Sequence, residues 1–142
     1  MADFTADDKY SNCFVCSPTN PYGLLLTNTF VNGRSHMEIT PHENMSGLKG
    51  LMHGGFSLML MDEIMYYAME GLHVDTVTLN SHCDFVSPAY IGHKMIAEGW
   101  VEKREGKKIY AAGELIDADT GKVIVRSTGL YYEMDMSAFL PD

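Results

Sequence analysis

Apolar and polar residues alternate along this chain in two different periods, and the change of period divides it into elements. From Phe56 to Glu70 no Gly or Pro interrupts the sequence, and apolar residues occupy nearly the whole circumference of a 3.6-residue repeat. The run is too long for a buried strand, so it predicts one helix, ending near Gly71 and buried on every side. Before it, short apolar runs at 24–31 and 35–40 flank Asn32-Gly33, a dipeptide that favours a tight hairpin. After it come four strand-like runs, at 76–86, 93–102, 108–116 and 123–132, separated by Pro88, by Glu105-Gly106 and by Asp119-Thr120-Gly121. Residues 1–12 predict a loosely held terminus or a short first helix, 13–23 a compact irregular segment, 41–46 a loop and 135–142 a tail. Two strands, one buried helix and four strands predict an α+β fold, in which a curved antiparallel sheet of five or six strands wraps around one long central helix. In the strand that follows the helix, Leu79, Ser81, Cys83 and Phe85 are expected on the helix side. Thr78, Asn80, His82 and Asp84 are expected on the other.

Asp62 breaks the pattern. An ionised carboxylate taken out of water costs several kcal/mol unless it is paired or hydrogen-bonded, so its place inside the central helix points to a site. Glu63 lies about 100° further round the helix, so only one of the pair can face a given pocket. At 142 residues the chain is one domain. Its net charge of −9 argues against nucleic acid and against anionic lipid as partners. No basic stretch followed by an apolar one opens the chain, and the helix is too short and too interrupted by charge to span a bilayer. Three cysteines give no even disulfide framework, so a cytoplasmic location is expected. Cys13 and Cys16 have the spacing of half a zinc site. No second Cys or His pair follows at finger spacing, and the expectation is a buried thiol pair and no metal. The alternating Asn80, His82 and Asp84 and the scattered His36, His42, His73 and His93 have no ligand spacing either.

The helix is preceded by Gly47-Leu48-Lys49-Gly50-Leu51-Met52-His53-Gly54-Gly55, with Asp62 nine residues after His53. The segment from Cys13 to Leu24 reads Cys-Phe-x-Cys-Ser-x-x-Asn-Pro-x-Gly-Leu, with Ser17 where the related pattern has Gly, and a further stretch runs from Thr78 to Pro88. Together these resemble the PaaI-like acyl-CoA thioesterases of the hotdog-fold superfamily. Some members carry Asn or Gln six residues before the His, where this chain has Gly47. The resemblance implies hydrolysis of an acyl-CoA thioester without a cofactor. It implies Asp62 as general base or nucleophile, the Gly54 N–H polarising the thioester carbonyl, His53 shaping the turn, and Thr78 helping to hold the attacking water. A non-catalytic acyl-CoA-binding protein and, on a poorer match of pattern, an acyl dehydratase or hydratase are the alternatives.

Physical chemistry adds to this. First-turn N–H groups of a helix have no intrahelical partner and sit at its positive end, which suits a developing oxyanion near Gly54 and Gly55. Gly54 and Asp62 are eight residues apart, about 12 Å along a helix, whereas groups acting on one carbonyl must lie within about 3–4 Å of it. The two residues are therefore expected to serve one thioester from two chains, in a homodimer or a dimer of dimers. Tyr66, one turn after Asp62, is a candidate for the acyl pocket. Met52, Met59, Met61, Met65 and Met69 are core residues with the adaptability that a permissive pocket uses. Lys107 and Lys108 lie in the one dense basic cluster, at a predicted hairpin, and are candidates for the CoA phosphates. No phosphate-binding loop, dinucleotide glycine pattern or Gly-x-Ser-x-Gly elbow is present.

Overall fold

The structure, a computed structural model, describes residues 12–135 and Ser137. The expected terminus at 1–12, apart from Asn12, and most of the expected tail at 135–142 lie outside the described residues. Six strands form one antiparallel sheet: β1 (Thr29–Val31), β2 (Arg34–Ile39), β3 (Thr76–Phe85), β4 (Met95–Glu105), β5 (Lys108–Asp117) and β6 (Val123–Glu133). Their order across the sheet is β1-β2-β4-β5-β6-β3. Among the described residues one α-helix, α1 (Gly54–Glu70), lies on one face, and a 3-10 turn at Glu43–Met45 precedes it. This is the expected hotdog arrangement.

Local chemistry accounts for the elements. Asn32 and Gly33 both take positive φ, 54° and 78°, which is the two-residue turn that joins Val31 to its pair Arg34. Gly106, at φ 62°, turns β4 into β5. Residues 24–28 do not extend β1, because their backbone is used elsewhere. Leu24 and Leu26 donate to the carbonyls of Phe14 and Val15, strapping the Cys13–Ser17 turn beneath them with Val15 buried in the core.

Two expectations need correction. In the single chain α1 buries one stripe, Ser57, Leu60, Met61, Ile64, Met65 and Met69, and is not covered on every side. It packs chiefly on β4 and β5 and less on β2, β3 and β6, and a flank that includes Leu58 is left open. The alternation of β3 also differs. Thr78 pairs with Tyr131 and Asn80 with Leu130, so Leu79 is an inserted bulge residue, 52% exposed. The bulge shifts the phase by one, placing Thr78 and Ser81 on the same face. Thr78 therefore points at the helix, opposite to the expectation. Ser81, Cys83 and Phe85 keep the predicted side.

The helix sits unusually close to the sheet. Ser35, Gly99, Gly113 and Ser127 are cross-strand partners in one row over β2, β4, β5 and β6. A Cβ on Gly99 would lie 2.5 Å from the Ile64 carbonyl oxygen and 2.8 Å from Ser35 Oγ. Ser35 Oγ–H donates to that same carbonyl at 2.6 Å, a side-chain bond from sheet to helix backbone. Gly99→Ala forces the helix off this row and is expected to destabilise the protein by about 3 kcal/mol, the upper range for overpacking. Gly71→Ala, where the nearest atom to an added Cβ is 3.8 Å away and the backbone is right-handed, is expected to be neutral or slightly stabilising. Thermal melts of the two variants against the parent protein measure the contrast.

Candidate active site

The start of α1 is built by His53. Its Nδ1 accepts from the Gly55 N–H at 2.8 Å, so the imidazole caps the helix and carries its proton on Nε2. Glycine gives it room. A Cβ on Gly55 would lie 3.0 Å from His53 Nδ1, and one on Gly47 would lie 3.1 Å from His53 Cα. The preceding loop is held by Met52 N–H to the Ala89 carbonyl and His53 N–H to the Met45 carbonyl, each 2.8 Å. With the Gly55 N–H spent on His53, the Gly54 N–H is the donor left without an acceptor among the described residues. Gly54 lines two adjoining clefts of about 400 and 520 Å³, the first walled also by Phe85, Val86, Pro88 and Ile124, the second by Gly47, Leu48 and His53. The Phe85 ring stands where a Gly54 side chain would go, its Cε1 3.3 Å from that position.

Asp62, two turns further on, is held by two hydroxyls. Thr78 Oγ1–H donates to Asp62 Oδ1 at 2.9 Å, and Tyr131 Oη–H donates to the same oxygen at 2.9 Å. Tyr131 Oη also lies 3.2 Å from the Asp62 carbonyl. Burial, and then the charge of Asp62, raises the Tyr131 phenol above its ordinary range, so it stays protonated and remains a donor. The ring fits because Gly129 lies beneath it; a Cβ there would be 2.7 Å from Tyr131 Cε2. Asp62 Oδ2 takes no hydrogen bond among the described residues. The carboxylate is thus oriented through one oxygen and free to accept a proton through the other. Thr78 spends its one proton on Asp62, so it can hold a water only by accepting from it.

The structure brings Asp62 and Thr78 together and adds Tyr131, which the sequence reading missed. A tyrosine two residues after a glycine in the last strand gives no sign of contact with a helix far earlier in the chain. His53, Gly54 and Gly55 form the second group, at the other end of the open flank. Tyr66 is half-buried and packs edge-on to Tyr67, with ring centres 5.9 Å apart. Met61, Met65 and Met69 are core, and Met59 is half-buried. Lys107 lies in a different cleft beside Asp75, Glu133 and Asp135. Lys108 begins β5 and is exposed, one residue before Ile109, the pair of Tyr131. The lysines thus sit at the Asp62 end of the sheet and away from Gly54, whose neighbour Phe85 pairs with Val125 at the far end of β6.

Glu63 turns away from Asp62 into a cluster with Cys13 and Cys16. Cys13 Sγ–H donates to Glu63 Oε1 at 3.5 Å, and Tyr67 Oη–H donates to Cys16 Sγ at 3.1 Å. Burial raises the Glu63 carboxyl and pushes the Cys16 thiol up to about 12.

The sequence profile of the thioesterase superfamily matches residues 49–124, from the loop before α1 into β6. Curated proteins give no match. Among solved structures, a thioesterase superfamily protein is 24% identical with a TM-score of 0.77; the match covers 82% of this chain but 61% of that one, less than two thirds of its length. The PaaI protein of the E. coli phenylacetic acid degradation operon is 18% identical, with a TM-score of 0.71 over 78% of this chain and 80% of that one. The Streptococcus mutans protein smu.793, bound to acetyl CoA, is 15% identical, with a TM-score of 0.71 over 77% of this chain and 88% of that one. At these identities the likeness is one of fold.

Tyr131→Phe keeps the ring and removes one of the two donors to Asp62. It is expected to cost about 2 kcal/mol of stability, the usual net value of a hydrogen bond to a charged group. Urea unfolding of the variant checks this, and an unchanged midpoint would mean that the hydroxyl does not hold Asp62.

Proposed function

The chain belongs to the thioesterase superfamily, and on that premise we propose that it hydrolyses an acyl-CoA thioester to a free carboxylic acid and CoA. The observation that supports this reading best is the Asp62 carboxylate, fixed through Oδ1 by Thr78 and Tyr131 with Oδ2 open. Asp62 Oδ2 takes a proton from water as it attacks the thioester carbonyl, or attacks that carbon itself to give an anhydride that water then opens. The carbonyl oxygen gains charge against the Gly54 N–H at the helix start; a donor of this kind contributes about 3 kcal/mol in other acyl-transfer sites. In the first route the CoA sulfur leaves and takes up the proton held by Asp62; in the second it leaves as the thiolate, and its proton comes from the water that opens the anhydride. The bound acetyl CoA of the S. mutans protein supports CoA as the carrier.

Both groups act on one thioester only across two chains. In the single chain they are about 12 Å apart on α1, and their neighbours on β3, Thr78 and Phe85, lie towards opposite ends of that strand. β3 is the last strand of the sheet, and Leu58, Leu79, Phe85 and Val86 beside it are each about half exposed. A second copy paired antiparallel along this edge, with the two-fold near Ser81-His82, brings the Phe85–Gly54 end of one protomer to the Thr78–Asp62 end of its partner. The result is two equivalent sites per dimer. The Lys107–Lys108 hairpin lies at the Asp62 end and contacts the CoA phosphates. Among the described residues no helix is long and apolar enough to cross a membrane.

Asp62→Asn is expected to lower thiol release from the best substrate in an acyl-CoA screen by a factor of at least about 10³, a barrier increase of roughly 4 kcal/mol; turnover equal to wild type would leave a binding protein instead. Mixing inactive Asp62→Asn with an inactive Gly54 variant, Gly54→Val, is expected to restore part of the activity through hybrid dimers. Failure of subunit exchange to restore any would place both groups in one chain. Reversing Lys107 and Lys108 to Glu is expected to raise KM for acyl-CoA, more at low salt than at high; an unchanged KM removes the lysines from the site.

A further inference from the structure

Outside the candidate active site, the fold gathers three metal-ligating side chains, two from one turn and a third that lies 50 residues after the first in sequence. Cys13 and Cys16 come from the first described turn, closed by Ser17 N–H to the Cys13 carbonyl at 3.1 Å, and Glu63 comes from the middle of α1. Their ligand atoms all lie within 4.8 Å of one another. None of the ion pairs among the described residues includes Glu63, so this half-buried carboxyl faces two thiols with no cation beside it.

We propose that Cys13, Cys16 and Glu63 bind one zinc ion per chain, tying the N-terminal turn to the central helix. The Cys-x-x-Cys spacing supplies two sulfurs from one turn, as in structural zinc sites, and the fold supplies the oxygen ligand that the sequence lacked. A tetrahedral zinc with sulfur at about 2.3 Å and oxygen at about 2.1 Å separates S and O by about 3.6 Å. Cys13 Sγ and Glu63 Oε1 are 3.5 Å apart, so that edge needs almost no movement. Two thiolates select zinc over magnesium, calcium or manganese, which prefer all-oxygen sites. A water takes the fourth position. Tyr67, one turn after Glu63, already donates to Cys16 Sγ at 3.1 Å and orients that ligand from outside the coordination shell. Binding displaces the two thiol protons, and that of the Glu63 carboxyl where it is protonated, to solvent.

The turn is built to hold still for this. Val15, between the two cysteines, is 2% exposed in the core, and the Leu24 and Leu26 N–H groups pin the Phe14 and Val15 carbonyls. The second cluster of possible ligands, His93, Asp117 and Asp119, is already satisfied internally. Asp117 accepts from the Asp119 and Thr120 N–H groups and lies 2.7 Å from His93 Nδ1, an arrangement that closes the β5–β6 turn without an ion. The zinc site goes beyond the hydrolytic reading and does not depend on it, since neither Asp62 nor Gly54 takes part.

The full chain, purified under reductant and stripped with chelator, is titrated with Zn²⁺ and separately with Co²⁺. The expected results are close to one zinc per chain after dialysis, thiolate-to-cobalt charge-transfer absorption, and a melting temperature that rises with Zn²⁺ and falls with chelator. Glu63→Gln is expected to weaken zinc binding by about tenfold or more in competition with a chelating dye. Its melt in chelator is expected to match that of the wild-type protein in chelator. The Cys13→Ser, Cys16→Ser double variant is expected to lose the cobalt absorption. No stoichiometric zinc in the reduced wild-type protein, or a melting temperature indifferent to it, overturns the site. Unchanged affinity in Glu63→Gln, or metal retained by the double cysteine variant, overturns the assignment of ligands.

Discussion

The central helix rests on a floor of backbone. Where α1 crosses the sheet, the row Ser35, Gly99, Gly113 and Ser127 presents almost no side chain, and the helix comes close enough for its Ile64 carbonyl to accept from Ser35 Oγ at 2.6 Å. That carbonyl is mid-helix and already serves its own ladder; the extra donor fixes the height and rotation of the helix over the strands. On one side Ile64 and Met65 enter the core with no exposed surface. Asp62, two residues before Ile64, is thereby turned to the flank, where Tyr131 and Thr78 wait. A larger residue in the floor would lift or roll the helix, and the carboxylate would lose both hydroxyls at once.

The second dependency is the bulge at Leu79. Without it Thr78 would share a face with Asn80 and His82 and would point away from the helix. With it, Thr78 and Tyr131 meet across the strand pair and converge on one carboxylate oxygen. Using a single oxygen leaves the other with its lone pairs free, which is what a proton acceptor or nucleophile needs. The same bulge displaces the Leu79 side chain outwards, adding to the apolar edge where a second copy is proposed. One inserted residue therefore serves both the local geometry and the surface around it.

The helix start works on a different principle. His53 takes the second N–H of the turn, which leaves the Gly54 N–H without an acceptor among the described residues, at a residue that lines both clefts. A Cβ at 47 or 55 would crowd His53, its backbone Cα in the first case and its imidazole in the second, and one at 54 would press on the Phe85 ring. The motif thus resolves into one residue that offers a donor and three that make room for it or hold it. The acidic chain, by contrast, gives no guidance about where an anionic substrate sits. Lys107 shares its cleft with Asp75, Glu133 and Asp135, so the hairpin's role rests on its place at the Asp62 end of the sheet and not on the charge of the chain.

The sequence by itself determined the order of elements, the long helix, the Asn32-Gly33 hairpin and the edges of the four later strands to within a few residues. These follow from period and turn chemistry, which act locally. It could not determine the face of Thr78, because a bulge is a property of two paired strands. Nor could it determine the partnership of Tyr131 with Asp62, because that contact spans 69 residues. It took the helix to be covered all round, since hydrophobicity alone does not say whether a neighbour belongs to the same chain. The half-site at Cys13 and Cys16 shows the same limit. The spacing was legible, but Glu63 joins it only when the N-terminal turn is strapped beneath residues 24–26 and brought against α1. Local pattern fixes what each segment becomes; register and packing, which exist only once the segments meet, decide which side chains share a site.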